Sequence, residues 1–184
     1  MKIRVNSILR ESYANGPGKR AVLWVQGCAR NCPGCFNPGT HDPRAGQWME
    51  TTEAAEILSS EENDGVTISG GEPFDQREAL SELLSLLRRK SVPSILVFTG
   101  YSYEAIRNVP CLKDIDALIC GPFQPELPPD YERFCSSANQ QLILLTNRFT
   151  TEDFQNLPLE EWISDESGTL IRSGILRKEI TVSS

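Results

Sequence analysis

Short apolar runs separated by helix-patterned stretches constrain this chain more than any other feature. The runs are Ala21–Gln26 (AVLWVQ), Val66–Ser69 (VTIS), Ser94–Thr99 (SILVFT), Asp116–Cys120 (DALIC) and Gln141–Thr146 (QLILLT). Each is nearly continuous in apolar side chains, as strands covered on both faces must be. Between them, Gln76–Lys90 reads as a helix, because Leu80, Leu83, Leu84 and Leu87 fall on one face. Asp75 and Glu78 have capping-box spacing at its start, and Arg88, Arg89 and Lys90 suit the C-terminal end of its dipole. Further helices are expected over Thr52–Ser60 and, behind Ser102, over Tyr103–Asn108. Strand–helix alternation of this kind gives an α/β fold with a mostly parallel sheet and right-handed crossovers. About five such units are too few for a closed eight-stranded barrel of about 250 residues, so a partial, open (β/α) barrel is expected. Gly121–Asp130 (GPFQPELPPD) holds four prolines and reads as a loop or lid. Beyond about residue 150 the pattern weakens, and only an appended strand and helix are expected.

Composition narrows the class. The 184 residues suit one domain, with a core over about 15–146 and a C-terminal appendage over about 150–184. A net charge of -7 argues against bulk attraction to nucleic acid or to an anionic membrane. No run approaches the roughly 20 apolar residues that span a bilayer. The first residues, MKIRVNSILRESY, lack the apolar stretch of a signal peptide. A cytoplasmic protein is expected.

Six cysteines in such a chain require an account. Cys28, Cys32 and Cys35 lie within eight residues, whereas Cys111, Cys120 and Cys135 are scattered. The scattered cysteines read as buried free thiols. The clustered ones form a CxxxCxxC loop directly after the first apolar run. Three thiolates from one loop can ligate three irons of a cubane and leave the fourth iron open. The alternative is a four-ligand zinc site completed by His41, the one histidine of the chain. A second motif, Ser69-Gly70-Gly71-Glu72-Pro73, follows the next strand. Paired glycines at the C-terminal edge of a parallel sheet let the backbone approach a ligand closely.

Together the two motifs resemble the radical S-adenosylmethionine superfamily. The resemblance implies that Cys28, Cys32 and Cys35 bind a [4Fe-4S] cluster whose open iron takes the methionine end of S-adenosylmethionine. One electron then breaks a sulfonium C–S bond and gives a 5′-deoxyadenosyl radical, with no catalytic residue beyond the cluster. It also implies cofactor contacts: Gly34 and Phe36 beside the adenine, with Cys35 and Asn37 in the same segment, and Gly70, Gly71 and Glu72 beside the methionine.

A narrower resemblance, to the activating enzymes of anaerobic ribonucleotide reductase, rests on further segments in family order. These are Gly16-Pro17-Gly18-Lys19-Arg20, CPGCFN around Cys35, Thr99-Gly100-Tyr101, Ile115-Asp116 through Cys120-Gly121-Pro122-Phe123, and Ser136-Ser137-Ala138-Asn139-Gln140. Asn15 and Ser136 stand where that family usually has Asp and Gly, Phe36–His41 varies its tyrosine–asparagine ending, and the shortest members lack a counterpart of Leu157–Ser184. A glycyl-radical-type protein substrate and a flavodoxin- or ferredoxin-like electron donor are then implied. The rivals are a radical enzyme acting on a small molecule or peptide, like the 7-carboxy-7-deazaguanine synthases, and a non-catalytic iron–sulfur or zinc module. Among other residues, Lys19, Arg20 and Arg30 read as solvated charges. Trp24 reads as core, Trp48 and Trp162 as partly buried, and Tyr101 as a packing residue or part of an active-site mouth. Asn139 and Gln140 read as a turn or as nucleoside contacts.

Overall fold

The computed structural model describes residues 1–164 and 170–175. The expected runs become β2 (Arg20–Val25), β4 (Gly65–Gly70), β5 (Ile95–Thr99), β6 (Ala117–Cys120) and β7 (Gln141–Leu144). Two strands precede and interrupt them: β1 (Lys2–Ser12) and β3 (Gln47–Glu50). All seven form one sheet in the order β3-β1-β2-β4-β5-β6-β7. Its centre, β2-β4-β5-β6, is parallel, and the flanking β1, β3 and β7 pair antiparallel. β7 runs antiparallel for a clear reason. A parallel strand needs a long crossover, usually helical, and the proline-rich stretch after β6 supplies no helix.

One sheet face is covered by α1 (Thr51–Leu58) and α2 (Arg77–Arg89), with the leucine stripe of α2 fully buried. A third, short helix, α3, spans Tyr103–Ile106. The other face carries Leu96, Ala117 and Ile119 beneath Phe134, Cys135, Phe149 and Phe154. The described residues of the appended segment form two antiparallel strands, β8 (Glu160–Ser164) and β9 (Leu170–Gly174). The helix expected in the rest of that appendage, residues 165–169 and 176–184, lies outside the described residues. The strand pair is tied to the end of β1: Ser12 Oγ donates to Glu161, Tyr13 N donates to Glu161 Oε2 (2.9 Å), and Asn15 Nδ2 donates to Ser173 Oγ (2.6 Å).

Several side chains depart from expectation. Asp75 does not cap α2, whose preceding residue Gln76 makes no side-chain cap bond. A 3-10 turn, Pro73–Gln76, intervenes, and Glu72 caps it by accepting from Phe74 N (3.0 Å). Arg88 serves an ion pair rather than the helix dipole alone, with its Nη2 2.6 Å from the buried Asp116 Oδ2. Arg20 is fully buried, not solvated. It donates to Thr67 Oγ1 (2.7 Å), Val66 O (2.7 Å), Pro17 O (3.0 Å) and Ser94 Oγ (3.0 Å), and its guanidinium lies 5.6 Å from the Phe149 ring. Burial lowers its pKa to about 10. Lys19 is paired, its Nζ 2.7 Å from Glu11 Oε2. Trp24 is only half-buried, while Trp48 and Trp162 are exposed at 57% and 61%.

Candidate cluster and cofactor site

The cysteine loop leaves the C-terminal end of β2 and is fastened at both ends by backbone bonds. Gly27 N donates to Thr40 O (2.8 Å), Cys28 N to His41 O (3.2 Å) and Cys35 N to Cys32 O (3.2 Å). Gln26 Nε2 braces it from below by donating to Gly39 O (3.1 Å) and Asp42 O (2.8 Å). Asn31 (φ 48) and Gly34 (φ 66) take left-handed backbone, which curls the loop between its cysteines. All three thiols are free and half-buried.

The donor set fits a cluster. Burial pushes the Cys28 and Cys35 thiols up, and Cys35 is raised further by Cys32 and Cys28. Thiolates gathered without a cation repel one another, and bound iron removes that penalty. Among the described residues, no three His, Cys, Asp or Glu side chains converge closely enough for a single metal ion. A cubane makes no such demand, because its ligands attach at separate corners. His41 meets the loop through its backbone carbonyl, which accepts from Cys28 N.

The glycine turn after β4 clasps this loop. Gly71 N donates to Val25 O (2.8 Å) and Glu72 N to Gly27 O (2.9 Å). Gly70 has φ +103, and a Cβ there would lie 2.6 Å from Val25 N and O. A Cβ on Gly71 would lie 2.8 Å from the Gly27 carbonyl carbon and closer still to its oxygen. The glycines thus permit a close approach of two backbone segments of the chain itself. Glu72, 1% exposed, turns inward. Its carboxylate accepts from Phe74 N, from Thr99 Oγ1 (2.7 Å) and from Gly100 N (2.8 Å). It therefore joins the turn to the end of β5. Burial pushes its pKa up, against the pull of those donors.

A cavity of about 490 Å³ opens beside the loop, lined by Gly34, Cys35, Phe36 and Asn37 together with Trp24. The proline-rich segment forms one wall, with Phe123 5.1 Å from Phe36 between ring centroids and Pro125 against Gly34. The β8–β9 pair forms another, through Glu160, Ile171, Arg172 and Ser173. Arg172 Nη2 lies 2.6 Å from Glu160 Oε2 across that wall. The structure thus gathers the Gly34–Asn37 residues at one cavity. Gly70, Gly71 and Glu72 meet the loop through Gly27 and do not line it. Sequence reasoning missed Trp24, Glu160 and Arg172, whose contacts join segments far apart in the chain.

Around the loop's other side, Asp75 Oδ1 accepts from Tyr101 Oη (2.8 Å) and Oδ2 from Ala29 N (3.4 Å). Arg30 is half-buried and stacked 5.0 Å from the Tyr101 ring, not solvated. Gln140 takes a turn role, its Oε1 accepting from Ser136 N (3.0 Å) and Ser137 N (3.2 Å). Asn139 Nδ2 donates to Pro122 O (2.6 Å). Cys111, Cys120 and Cys135 are buried and free, and burial pushes the Cys135 thiol up to about 12.

Comparison with known proteins finds similar chains. A family model described as a 4Fe-4S single cluster domain matches residues 14–143. The anaerobic ribonucleoside-triphosphate reductase-activating protein of Enterobacteria phage T4 is 38% identical over 136 residues, covering 71% of this chain and 86% of its own. That of Vibrio cholerae is 33% identical over 148 residues, covering 74% and 92%. The pyruvate formate-lyase-activating enzyme of Clostridium pasteurianum is 32% identical over 122 residues, covering 63% of this chain and 50% of that enzyme.

Proposed function

The chain belongs to the radical S-adenosylmethionine family of glycyl-radical activases, and on that premise we propose that it installs a glycyl radical on an anaerobic ribonucleoside-triphosphate reductase. The observation that carries the reading is the cysteine loop clasped to the glycine turn beside a cavity lined by Gly34, Cys35, Phe36 and Asn37. Cys28, Cys32 and Cys35 hold a [4Fe-4S] cluster. Gly34, Cys35, Phe36 and Asn37 receive the nucleoside end of S-adenosylmethionine, and Gly70, Gly71 and Glu72 shape the methionine end. When bound, the cluster and S-adenosylmethionine supply a 5′-deoxyadenosyl radical able to take hydrogen from a glycine Cα. The chain's own work is to orient and to exclude water. Glu72 fixes the turn from within, its carboxylate held by Thr99 and Gly100 and its N–H by the Gly27 carbonyl. Phe36, Phe123 and Trp24 give the cavity apolar walls, and the Glu160–Arg172 pair supplies a polar edge to a peptide entering it.

We read the sheet as a partial, open barrel and the chain as one domain, with the appendage completing the cavity wall. An electron donor of the flavodoxin or ferredoxin type recharges the cluster. Six free thiols fit a reducing compartment such as the cytoplasm. No helix among the described residues is long and apolar enough to cross a membrane. The test is anaerobic incubation of the reduced, cluster-loaded protein with S-adenosylmethionine and the reductase. Methionine and 5′-deoxyadenosine are expected, with an electron paramagnetic resonance doublet on the reductase that disappears when its radical glycine is substituted. Stimulation by a small metabolite, with no radical stored on any protein, would overturn the reading.

A further inference from the structure

The β8–β9 pair lies beyond the stretch that the family model matches, residues 14–143, yet it walls the cavity beside Cys35. Two strands by themselves are marginal in water, so the pair must be held by the rest of the chain. Its register sets Glu161 opposite Ser173 and Ile163 opposite Ile171, and these four side chains share one face. On that face Glu161 accepts from Ser12 Oγ and Tyr13 N, and Ser173 Oγ accepts from Asn15 Nδ2. The other face carries Glu160, Trp162, Ser164, Leu170 and Arg172.

This second face runs outward from the cavity. Glu160 and Arg172 line the cavity and are joined at 2.6 Å. Trp162 stands directly opposite Arg172, and Leu170 is its diagonal neighbour, within reach of an aromatic ring. Trp162 and Leu170 are 61% and 65% exposed. Ile171, which lines the cavity, and Tyr13, whose N–H Glu161 holds, are also exposed. Among the described residues the remaining large apolar side chains left in solvent are Met1 and Trp48, beside β3. Exposed apolar surface is therefore concentrated around β8–β9. Such patches mark contacts between proteins, and tryptophan is enriched in them.

We propose that the face bearing Trp162 and Leu170 selects the glycine-bearing partner, an inference that rests on the function proposed above. On that function the reacting glycine belongs to a folded protein and has to reach the cavity beside Cys35. The protein around the glycine then lies over the cavity's rim, and β8–β9 is part of that rim. The Glu160–Arg172 pair marks the edge, and Trp162 and Leu170 extend the same face away from it. The occupant is an apolar patch on the partner's surface flanking its radical glycine, with Trp162 as the anchor that it buries. Chemistry stays with the cysteine loop and the glycine turn, inside residues 14–143, while choice of partner belongs to strands outside them.

The test uses the cluster-loaded protein, the anaerobic reductase of the same organism, and the substitutions W162S and L170S. Both side chains are exposed, so the variants should keep the wild-type melting temperature. Calorimetric titration with the reductase should show each substitution weakening binding about tenfold. The KM for the reductase should rise by a similar factor, with kcat for glycyl-radical formation unchanged at saturating reductase. W162F keeps an apolar ring and should retain most of the affinity. W48S removes a similarly exposed tryptophan away from the cavity and should bind as wild type does. Partner-free release of 5′-deoxyadenosine with dithionite should keep its wild-type rate in all four variants. Unchanged reductase affinity in W162S and L170S overturns the proposal. So does an equal loss in W48S, or a fall in partner-free release that matches the fall in affinity. Conversion of a wild-type dimer into a monomer, with reductase affinity unchanged, would overturn it in favour of a second copy of this chain. A wild type that binds the reductase through Trp162 but leaves no radical on it overturns the parent reading alone.

Discussion

Replacing Gly71 by alanine tests the clasp between the two loops. The added Cβ would sit 2.8 Å from the Gly27 carbonyl carbon and nearer its oxygen, where ordinary contact begins at 3.4 Å. Both neighbours are backbone, so no side chain can swing aside. Parting the segments by about 1 Å stretches the bonds Gly71 N to Val25 O and Glu72 N to Gly27 O, now 2.8 and 2.9 Å, out of range. Two such bonds contribute about 1 kcal/mol each and overpacking costs about 1–3 kcal/mol, so about 3–5 kcal/mol is expected in total. In a chain of this length that lowers Tm by about 6–20 °C. Calorimetry of the cluster-free protein under reductant measures it, and iron per chain after reconstitution reports the loop. G39A is the control, because nothing lies within 4 Å of a Cβ there. The geometry thus predicts damage to cluster loading as well as to cofactor binding. Wild-type stability and full iron content in G71A would refute the reasoning.

Two further outcomes follow from the site. Alanine at Cys28, Cys32 or Cys35 should abolish the visible charge-transfer absorption of the reconstituted protein, whereas alanine at Cys111, Cys120, Cys135 or His41 should leave it. Loss of metal in H41A would restore the zinc reading. Glu72 has a folded pKa above its ordinary value, chiefly from burial. Its contribution to stability is therefore full below the unfolded pKa near 4.5 and is lost as pH rises through the folded value. Urea titrations should show E72Q gaining on wild type as pH climbs from about 4.5 toward neutrality. A difference between the two that is flat with pH would sink this account.

The parts of the site legible in the sequence are those whose partners lie close along the chain. Three cysteines in eight residues declare themselves, as do paired glycines at a strand end. The central parallel strands were readable because burial on both faces leaves an uninterrupted apolar run. β1 was not, since the alternation begun by Ile3 and Val5 in KIRVNSILRES is broken by register shifts between Val5 and Ser7 and between Leu9 and Ser12. Arg20 shows the limit most sharply. Its acceptors Val66, Thr67 and Ser94 lie 46 to 74 residues away. Nothing local distinguishes this arginine from a solvated one. Asp75 misled for the opposite reason. Its spacing to Glu78 satisfied a local rule, but the intervening 3-10 turn turned the carboxylate toward Ala29 and Tyr101.

The fastening of the cysteine loop bears on how the protein is assembled. Both ends of the loop are secured by bonds from Gly27, Cys28, Gly71 and Glu72 that involve no metal. Beneath them lies a sheet whose core is complete without the site. Zinc fingers behave otherwise, because there the metal's binding energy is the folding energy. Bonds of this kind form without metal, and folding is expected to precede loading. If Cys28, Cys32 and Cys35 hold the cluster as proposed, a chain stripped of iron by oxygen would keep those thiols on a standing scaffold, to be refilled rather than refolded. Maturation becomes a surface event, open to a carrier that delivers a preformed cluster to a protein already shaped to receive it.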